Sequence, residues 1–152
     1  GRAMDGGGET TESKLVAVTE GPFAGWSTWP GDPYEDVNGP FFYRKDADGR
    51  ARTGFIAEQR HMNGYGFMHG GCVMAFADYS LFMLAHDAVP GSNAVTVSLN
   101  GEYVGTVPLG ARVEATGEVV KAGRSLVFVR GLITADGQPA LSFSGVLKKM
   151  KG

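Results

Sequence analysis

Two hydrophobic patterns along the chain predict an α-helix and, after it, a series of β-strands. Over residues 71–85 apolar side chains cover every direction of a 3.6-residue period, which predicts a buried α-helix. After residue 93 the period changes to two, and apolar residues alternate with polar ones as in half-buried strands. An Asp-Gly dipeptide at 136–137 predicts the hairpin turn before the last strand. The predicted strands are 94–104, 112–121, 125–134 and 140–149.

The part of the chain before the helix contains turn residues and one hairpin. Residues 15–40 are interrupted by Gly-Pro, Trp-Pro and Asp-Pro dipeptides, which predict at most a short helix or turns. We expect Trp26 and Trp29 in this stretch to be packing residues. Residues 41–45 and 52–58 alternate on either side of an Asp-Ala-Asp-Gly turn, which predicts a β-hairpin.

The order of these elements predicts the fold class. An apolar helix that follows a hairpin and precedes four strands indicates an α+β domain, in which an antiparallel sheet wraps around the helix. A chain of 152 residues is long enough for one such domain, which we place at 15–152. Residues 1–14 are polar and glycine-rich, so we expect a disordered or cloning-derived tail there.

Asp78 is the one charged residue within the apolar helix. We expect it to lie in the core, where a carboxylate has a high desolvation cost unless it is paired, hydrogen-bonded or protonated. An aspartate in the middle of a helix also lowers helix propensity. This conflict indicates a functional carboxylate, with a structural carboxylate that caps a loop or bridges subunits as the alternative.

Composition excludes several classes of partner. A formal net charge of −2 gives no overall attraction to nucleic acid or to anionic membranes. The single cysteine, Cys72, excludes an internal disulfide and fits a reducing cytoplasm, and we expect it to be a core thiol. The three histidines lack metal-binding spacing. We therefore expect a cytoplasmic protein without a metal, a cofactor, a nucleic-acid partner or a membrane partner.

A motif before the helix, together with Asp78 and the strand after it, resembles a known family. The motif reads Asn63-x-x-Gly66-x-x-His69-Gly70-Gly71, and the strand begins Ala94-Val-Thr96-Val-Ser-Leu-Asn100. Across 38–150 this pattern resembles the hotdog-fold acyl-CoA thioesterases of the phenylacetic-acid-degradation (PaaI-like) group. The resemblance implies a hotdog fold and hydrolysis of an acyl-CoA thioester to a free acid and CoA.

The resemblance also implies a role for each motif residue. Asn63 looks like the side chain that orients the thioester, and Gly70 looks like the backbone N–H donor to its carbonyl oxygen. Asp78 looks like the catalytic carboxylate, and Thr96 the hydroxyl that holds the attacking water. His69 looks like a residue that positions the loop or the thioester.

The chemistry of the helix start agrees with these roles. Free N–H groups and the positive end of the dipole favour negative charge beside Gly70 and Gly71, and glycine lets a ligand approach closely. We expect Gly71 to lie against the bound CoA ester and Arg124 to contact the CoA phosphates. Asp78 could deprotonate water or attack the carbonyl carbon itself, and the sequence leaves both routes open.

The spacing along the helix predicts a shared active site. Gly70 and Asp78 are eight residues apart, or about 12 Å along the axis, whereas both must approach one carbonyl within about 3 Å. Two helices packed antiparallel across a two-fold axis would solve this. We expect a dimer or a dimer of dimers, with Asn63, His69 and Gly70 from one chain and Asp78 and Thr96 from the other.

Several alternatives remain open at this point. Strict alternation places Thr96 on the same strand face as Ser98 and Asn100, away from the helix. A hotdog hydratase or dehydratase, or a non-catalytic acyl-CoA sensor, would also suit the fold. The acyl group is undetermined, although five aromatic residues could form an apolar wall for it. They are Tyr65, Phe67, Phe76, Tyr79 and Phe82.

Overall fold

The computed structural model describes residues 15–151, so the tail expected at 1–14 lies outside the described residues. Two α-helices, three short 3-10 helices and eight strands form the domain within these residues. The α-helices are α1 (Pro33–Asn38) and α2 (Gly70–Leu84), and the 3-10 helices are Gln59–His61, His86–Ala88 and Pro90–Ser92. The strands are β1 (Val16–Ala17), β2 (Ser27–Thr28), β3 (Phe42–Lys45), β4 (Ala51–Ile56), β5 (Ala94–Tyr103), β6 (Arg112–Ala122), β7 (Leu126–Ala135) and β8 (Gln138–Lys149).

All eight strands belong to one antiparallel sheet, in the order β1-β2-β3-β4-β6-β7-β8-β5. Helix α2 packs against strands β4 to β8, so the predicted α+β architecture is confirmed. The predicted turn between β7 and β8 is also confirmed, since Asp136 and Gly137 both have positive φ angles. Strand β5 lies at one edge of the sheet. No helix within residues 15–151 is long and apolar enough to cross a membrane.

Aromatic packing fixes α2 against the sheet. Phe76 is fully buried, with its ring centroid 4.7 Å from that of Phe55 on β4 and 5.3 Å from that of Phe41. Burial of a side chain of this size stabilises the fold by about 1.5–3 kcal/mol. Beside these rings the hydroxyls of Thr53 and Ser80, both fully buried, form a 2.7 Å hydrogen bond that satisfies each of them.

One side of α2 is open, although the sequence predicts a helix buried all round. Gly71 is exposed, and Met74, Ala75 and Asp78 are only half-buried. These positions recur at the i, i+3, i+4 and i+7 spacing of one helix face. The expectation that Asp78 lies in the core is therefore wrong for the single chain, because the sheet covers the other faces of α2 and leaves this one uncovered.

The segment before β3 covers the outer face of the sheet, the face away from α2. Phe23 stacks on Phe42 with ring centroids 4.5 Å apart, and Trp26 meets the Phe23 ring edge-on at 4.9 Å. The Arg112 guanidinium lies 4.2 Å from the Phe23 ring centroid. Trp26 and Trp29 are both buried, which confirms that they are packing residues. The short strands β1 and β2 in this segment were not predicted.

A β-bulge changes which side chains of β5 lie on the helix side of the sheet. Thr96 pairs with Leu147, but Ser98 pairs with Val146, so Val97 is an extra residue without a partner on β8. Leu147 is fully buried, and Thr96 therefore lies on the helix side of the sheet. The strict alternation expected for this strand is wrong at Thr96. The bulge moves each residue before it to the opposite face of the sheet from the one that regular alternation predicts.

Gly145 on β8 leaves room for a side chain of α2 against the sheet. A Cβ atom at this position would lie 2.4 Å from Leu81 Cδ1 and 2.8 Å from the Ser98 carbonyl oxygen. Both distances are far inside van der Waals contact, so only glycine fits without movement of the helix or of β5.

We expect Gly145→Ala to lower the free energy of unfolding by about 1–3 kcal/mol, because the added methyl group overpacks the core. Gly64→Ala is the matched control, since its Cβ would meet nothing within 4 Å. Denaturant unfolding of both variants measures the difference. Equal stability of the two variants would contradict the close approach described for Gly145.

Candidate active site

The bulge in β5 brings Thr96 into contact with Asp78. The Thr96 hydroxyl donates a 2.6 Å hydrogen bond to Asp78 Oδ1. A threonine hydroxyl has one proton and two acceptor lone pairs. Since that proton is directed to the carboxylate, the Thr96 oxygen can accept a hydrogen bond from a water molecule lying beside Asp78.

His69 caps the start of α2 and determines which backbone N–H groups are available. Its Nδ1 accepts the Gly71 N–H at 2.8 Å, and its carbonyl oxygen accepts the N–H groups of Cys72 and Val73 at 2.9 and 3.2 Å. The Gly70 N–H makes no hydrogen bond to any residue within 15–151. It is thus the available donor in the first turn, whereas the Gly71 N–H is occupied.

The same cap fixes the tautomer of neutral His69. Because Nδ1 accepts a hydrogen bond, the ring proton of the neutral form is on Nε2, which can donate to a ligand. A doubly protonated ring could not accept the Gly71 N–H. The cap therefore requires neutral His69, and the residue both orders the helix start and offers a second donor beside Gly70.

Asn63 orders the loop that leads to His69. Its Oδ1 accepts the N–H groups of Tyr65 and Phe67 at 2.8 and 3.4 Å. Since both of these partners are donors, the atom that faces them is the side-chain oxygen. The Asn63 amide nitrogen donates to no residue within 15–151, so it can donate to a ligand.

Tyr103 is a residue at this site that the sequence analysis did not identify. Its hydroxyl donates a 2.7 Å hydrogen bond to the Gly70 carbonyl oxygen. Nothing in the local sequence distinguishes this tyrosine from others in strands. The contact joins residues that are 33 positions apart, and it requires the register of β5.

The two halves of the expected site lie at different points along α2. Asp78 and Thr96 form one pair, and His69, Gly70 and Asn63 surround the helix start. Cavities of 390, 260 and 210 Å³ in the described part of the chain are lined by residues of neither half.

Residues 65–141 match the Thioesterase superfamily. The Pseudomonas aeruginosa protein PA0474, named as a candidate esterase, is 30% identical over 115 residues, which cover 75% of this chain and 86% of that protein. The chain belongs to the thioesterase superfamily.

Two further proteins are similar to this chain, one in sequence and one in structure. Human acyl-coenzyme A thioesterase 13 is 28% identical over 95 residues, covering 62% of this thioesterase and 68% of that protein. The structure of a variant of the phenylacetic acid degradation protein PaaI from Thermus thermophilus has a TM-score of 0.68 and 26% identity, covering 78% and 100% of the two chains. The predicted hotdog fold, PaaI-like resemblance and thioester hydrolase class are confirmed.

The aromatic wall that the sequence suggested does not form in this thioesterase. Phe76, Tyr79 and Phe82 are buried in the core, whereas Tyr65 and Phe67 lie on the exposed loop before α2. The loop pair is stacked, with ring centroids 6.1 Å apart. The core rings are directed at the sheet because α2 turns that face inward, so they cannot meet the loop pair.

Two other residues, His61 and Cys72, have surroundings that suit a structural role. His61 is buried, where its Nδ1 accepts the Glu58 N–H at 3.0 Å and its Nε2 bonds the Asn38 carbonyl oxygen at 2.7 Å. Burial raises the pKa of the Cys72 thiol to about 11, and the nearby Arg60 charge opposes this only in part. The thiol is therefore protonated at neutral pH, and Cys72 lacks the thiolate that a nucleophile needs.

Proposed function

We propose that this thioesterase hydrolyses an acyl-CoA thioester to a free acid and CoA, with Asp78 as the catalytic carboxylate. The observation that carries the proposal is the Thr96 to Asp78 hydrogen bond on the open face of α2. The available Gly70 N–H at the helix start supplies the complementary oxyanion donor. The name of the human relative, acyl-coenzyme A thioesterase 13, supports the substrate class.

The hydrogen-bond directions favour a water molecule as the nucleophile. Water held by Thr96 transfers a proton to Asp78 as its oxygen attacks the thioester carbonyl carbon. The carbonyl oxygen becomes an oxyanion that accepts the Gly70 N–H, and the Asn63 amide and His69 Nε2–H are further donors. The C–S bond then breaks, and the CoA thiolate takes the proton from Asp78.

Thiol release from a panel of aryl and alkyl acyl-CoA esters tests this proposal. We expect Asp78→Asn to lower kcat at least a hundredfold, because an amide cannot accept the proton, while circular dichroism shows an intact fold. Asp87→Asn is the control, since Asp87 is itself exposed, follows α2 and belongs to neither half of the site.

Turnover that survives Asp78→Asn would contradict the proposal. Tight binding of intact acyl-CoA without turnover by the wild-type protein would favour the acyl-CoA sensor. Addition of water to an enoyl-CoA would favour the hydratase.

The proposal includes a homodimer whose two chains share each site. The open face of α2 carries Asp78 beside Met74 and Ala75, an apolar surface that a second copy can cover. Next to it, β5 offers the unpaired backbone groups of a sheet edge, which favour addition of another strand. A two-fold axis here would bring the Gly70 end of each α2 towards the Asp78 of its partner.

Complementation between inactive chains tests the shared site. Gly70→Pro removes the N–H donor, and proline suits this first helical position because His69 has an extended ψ of 133°. Asp78→Asn removes the carboxylate. When the two chains are refolded as a 1:1 mixture, half of the dimers are mixed and each mixed dimer has one intact site. We expect about a quarter of wild-type activity to return.

Gly70→Ala is the control for the complementation, because its Cβ makes the same close contact with the Tyr103 hydroxyl oxygen, at 3.1 Å, as the Cβ of proline would, while the N–H is kept. No recovery in the mixture would contradict the shared site. Full activity of a monomer, checked by light scattering at the assay concentration, would contradict it independently.

We also propose that Arg124 contacts the CoA phosphates. Arg124 is exposed in the turn between β6 and β7, and Lys149 donates a 3.0 Å hydrogen bond to the Gly123 carbonyl oxygen of that turn. Lys148 pairs with Val95 on β5, next to Thr96. These cations form no ion pair with residues 15–151, so they are available to a phosphate group.

We expect Arg124→Ala to raise KM for an acyl-CoA about three- to tenfold, because a partly exposed charge-assisted contact contributes on the order of 1 kcal/mol. The KM for the matching acyl-pantetheine, which lacks the nucleotide phosphates, should stay unchanged. Initial rates with both esters measure the two effects. An equal rise for both esters would place Arg124 outside the phosphate site.

A further inference from the structure

We propose that Tyr103 is a positioning residue, which holds the peptide between Gly70 and Gly71 so that the Gly70 N–H keeps its direction towards the thioester oxygen. This inference rests on the proposed function. It assigns a role to a residue that lies on a different element from the helix start and outside the motif.

The helix start needs such support because it begins with two glycines. Glycine has more backbone freedom than any other residue, and the first turn of a helix lacks intrahelical acceptors for its N–H groups. An oxyanion donor is effective only if its direction is set before the reaction. Two consecutive glycines therefore let a ligand approach closely, but by themselves they do not fix the direction of the N–H groups.

Two side chains hold this one peptide unit from opposite ends. The Tyr103 hydroxyl donates to the Gly70 carbonyl oxygen at 2.7 Å, and His69 Nδ1 accepts the Gly71 N–H at 2.8 Å. A peptide unit is planar, so contacts at its oxygen and at its N–H together restrict rotation of the whole plane. The Gly70 N–H belongs to the preceding peptide unit, whose His69 carbonyl oxygen accepts the Cys72 and Val73 N–H groups. The Tyr103 and His69 side-chain contacts hold the adjoining plane on the other side of the Gly70 Cα, so both planes that meet at Gly70 are restrained.

The Tyr103 ring also lies directly against Gly70. A Cβ atom on Gly70 would lie 3.1 Å from the Tyr103 hydroxyl oxygen and 3.3 Å from its Cζ. Tyr103 is nevertheless 55% exposed, so its position is not explained by burial in the core. The part of Tyr103 that forms a hydrogen bond is its hydroxyl, and the partner of this hydroxyl is at the start of α2.

Tyr103 connects the helix start to the same strand that holds the carboxylate. Strand β5 carries Thr96, which bonds Asp78, near its beginning and Tyr103, which bonds Gly70, at its end. The end of β5 is anchored in turn, since Tyr103 pairs with Leu141 and the Val104 N–H bonds the Ala140 carbonyl oxygen at 2.9 Å. One strand therefore positions both groups that α2 contributes to the chemistry.

Tyr103→Phe tests the role because it removes the hydroxyl and keeps the ring. We expect kcat to fall about tenfold, with KM within about twofold of wild type and an unchanged thermal midpoint. Tyr34→Phe is the matched control, since Tyr34 is 56% exposed and its hydroxyl bonds no residue within 15–151. We expect wild-type kcat for the control.

A spectroscopic measurement separates positioning from general stabilisation. In an Asp78→Asn background, a bound acyl-CoA labelled with carbon-13 at its carbonyl reports the donor strength through its carbonyl stretching frequency. We expect Tyr103→Phe to move this frequency part of the way back towards its value in water. We expect Gly70→Pro to move it further, and Tyr103→Phe to add nothing once the Gly70 N–H is absent.

Wild-type kcat and an unmoved carbonyl frequency in Tyr103→Phe would overturn the inference. An additional shift in the Gly70→Pro background would also overturn it, since Tyr103 would then act by another path. Failure of the proposed function gives a different result, in which the wild-type protein releases no thiol from any ester or Asp78→Asn remains active.

Discussion

The hydrogen bond from Thr96 to Asp78 is the interaction on which the candidate site depends, and it exists because β5 is irregular. A regular strand through Val97 would turn Thr96 away from α2. The bulge turns it back and places a hydroxyl against the one carboxylate of an otherwise apolar helix. Asp78 thereby obtains a partner that offsets part of its desolvation, and the position of Thr96 is fixed by the ladder with β8.

The fold gives α2 two different surroundings. One side meets the sheet at close range, where Gly145 leaves room for Leu81 and the rings of Phe55 and Phe76 interlock. The other side carries Asp78 and is only half-covered. A carboxylate at the border between core and open surface can be held in place by its helix and still meet a substrate. This explains how a helix with such an apolar sequence carries a charged residue at its centre.

Much of this arrangement could be predicted from the sequence, and the remainder has identifiable causes. The helix, the hairpins and Asp78 are visible because each follows a local rule of period, turn chemistry or charge. The side of the sheet on which Thr96 lies could not be predicted. The sequence Val-Thr-Val-Ser is typical of a regular strand, and nothing in it indicates a bulge. The contact of Tyr103 with Gly70 and the covering of the sheet by Phe23 join distant parts of the chain, and local patterns carry no signal for them.

The bulge at Val97 has a second consequence, which concerns the outer side of β5. A long, regular edge strand can accept further strands in many registers, and such edges promote uncontrolled aggregation. Val97 interrupts the edge with a local bend and a stronger twist, so the stretch before it and the stretch after it cannot both pair with one straight neighbour. The irregularity that directs Thr96 to the carboxylate therefore also limits the strands that can add to this edge, and with them the growth of the sheet.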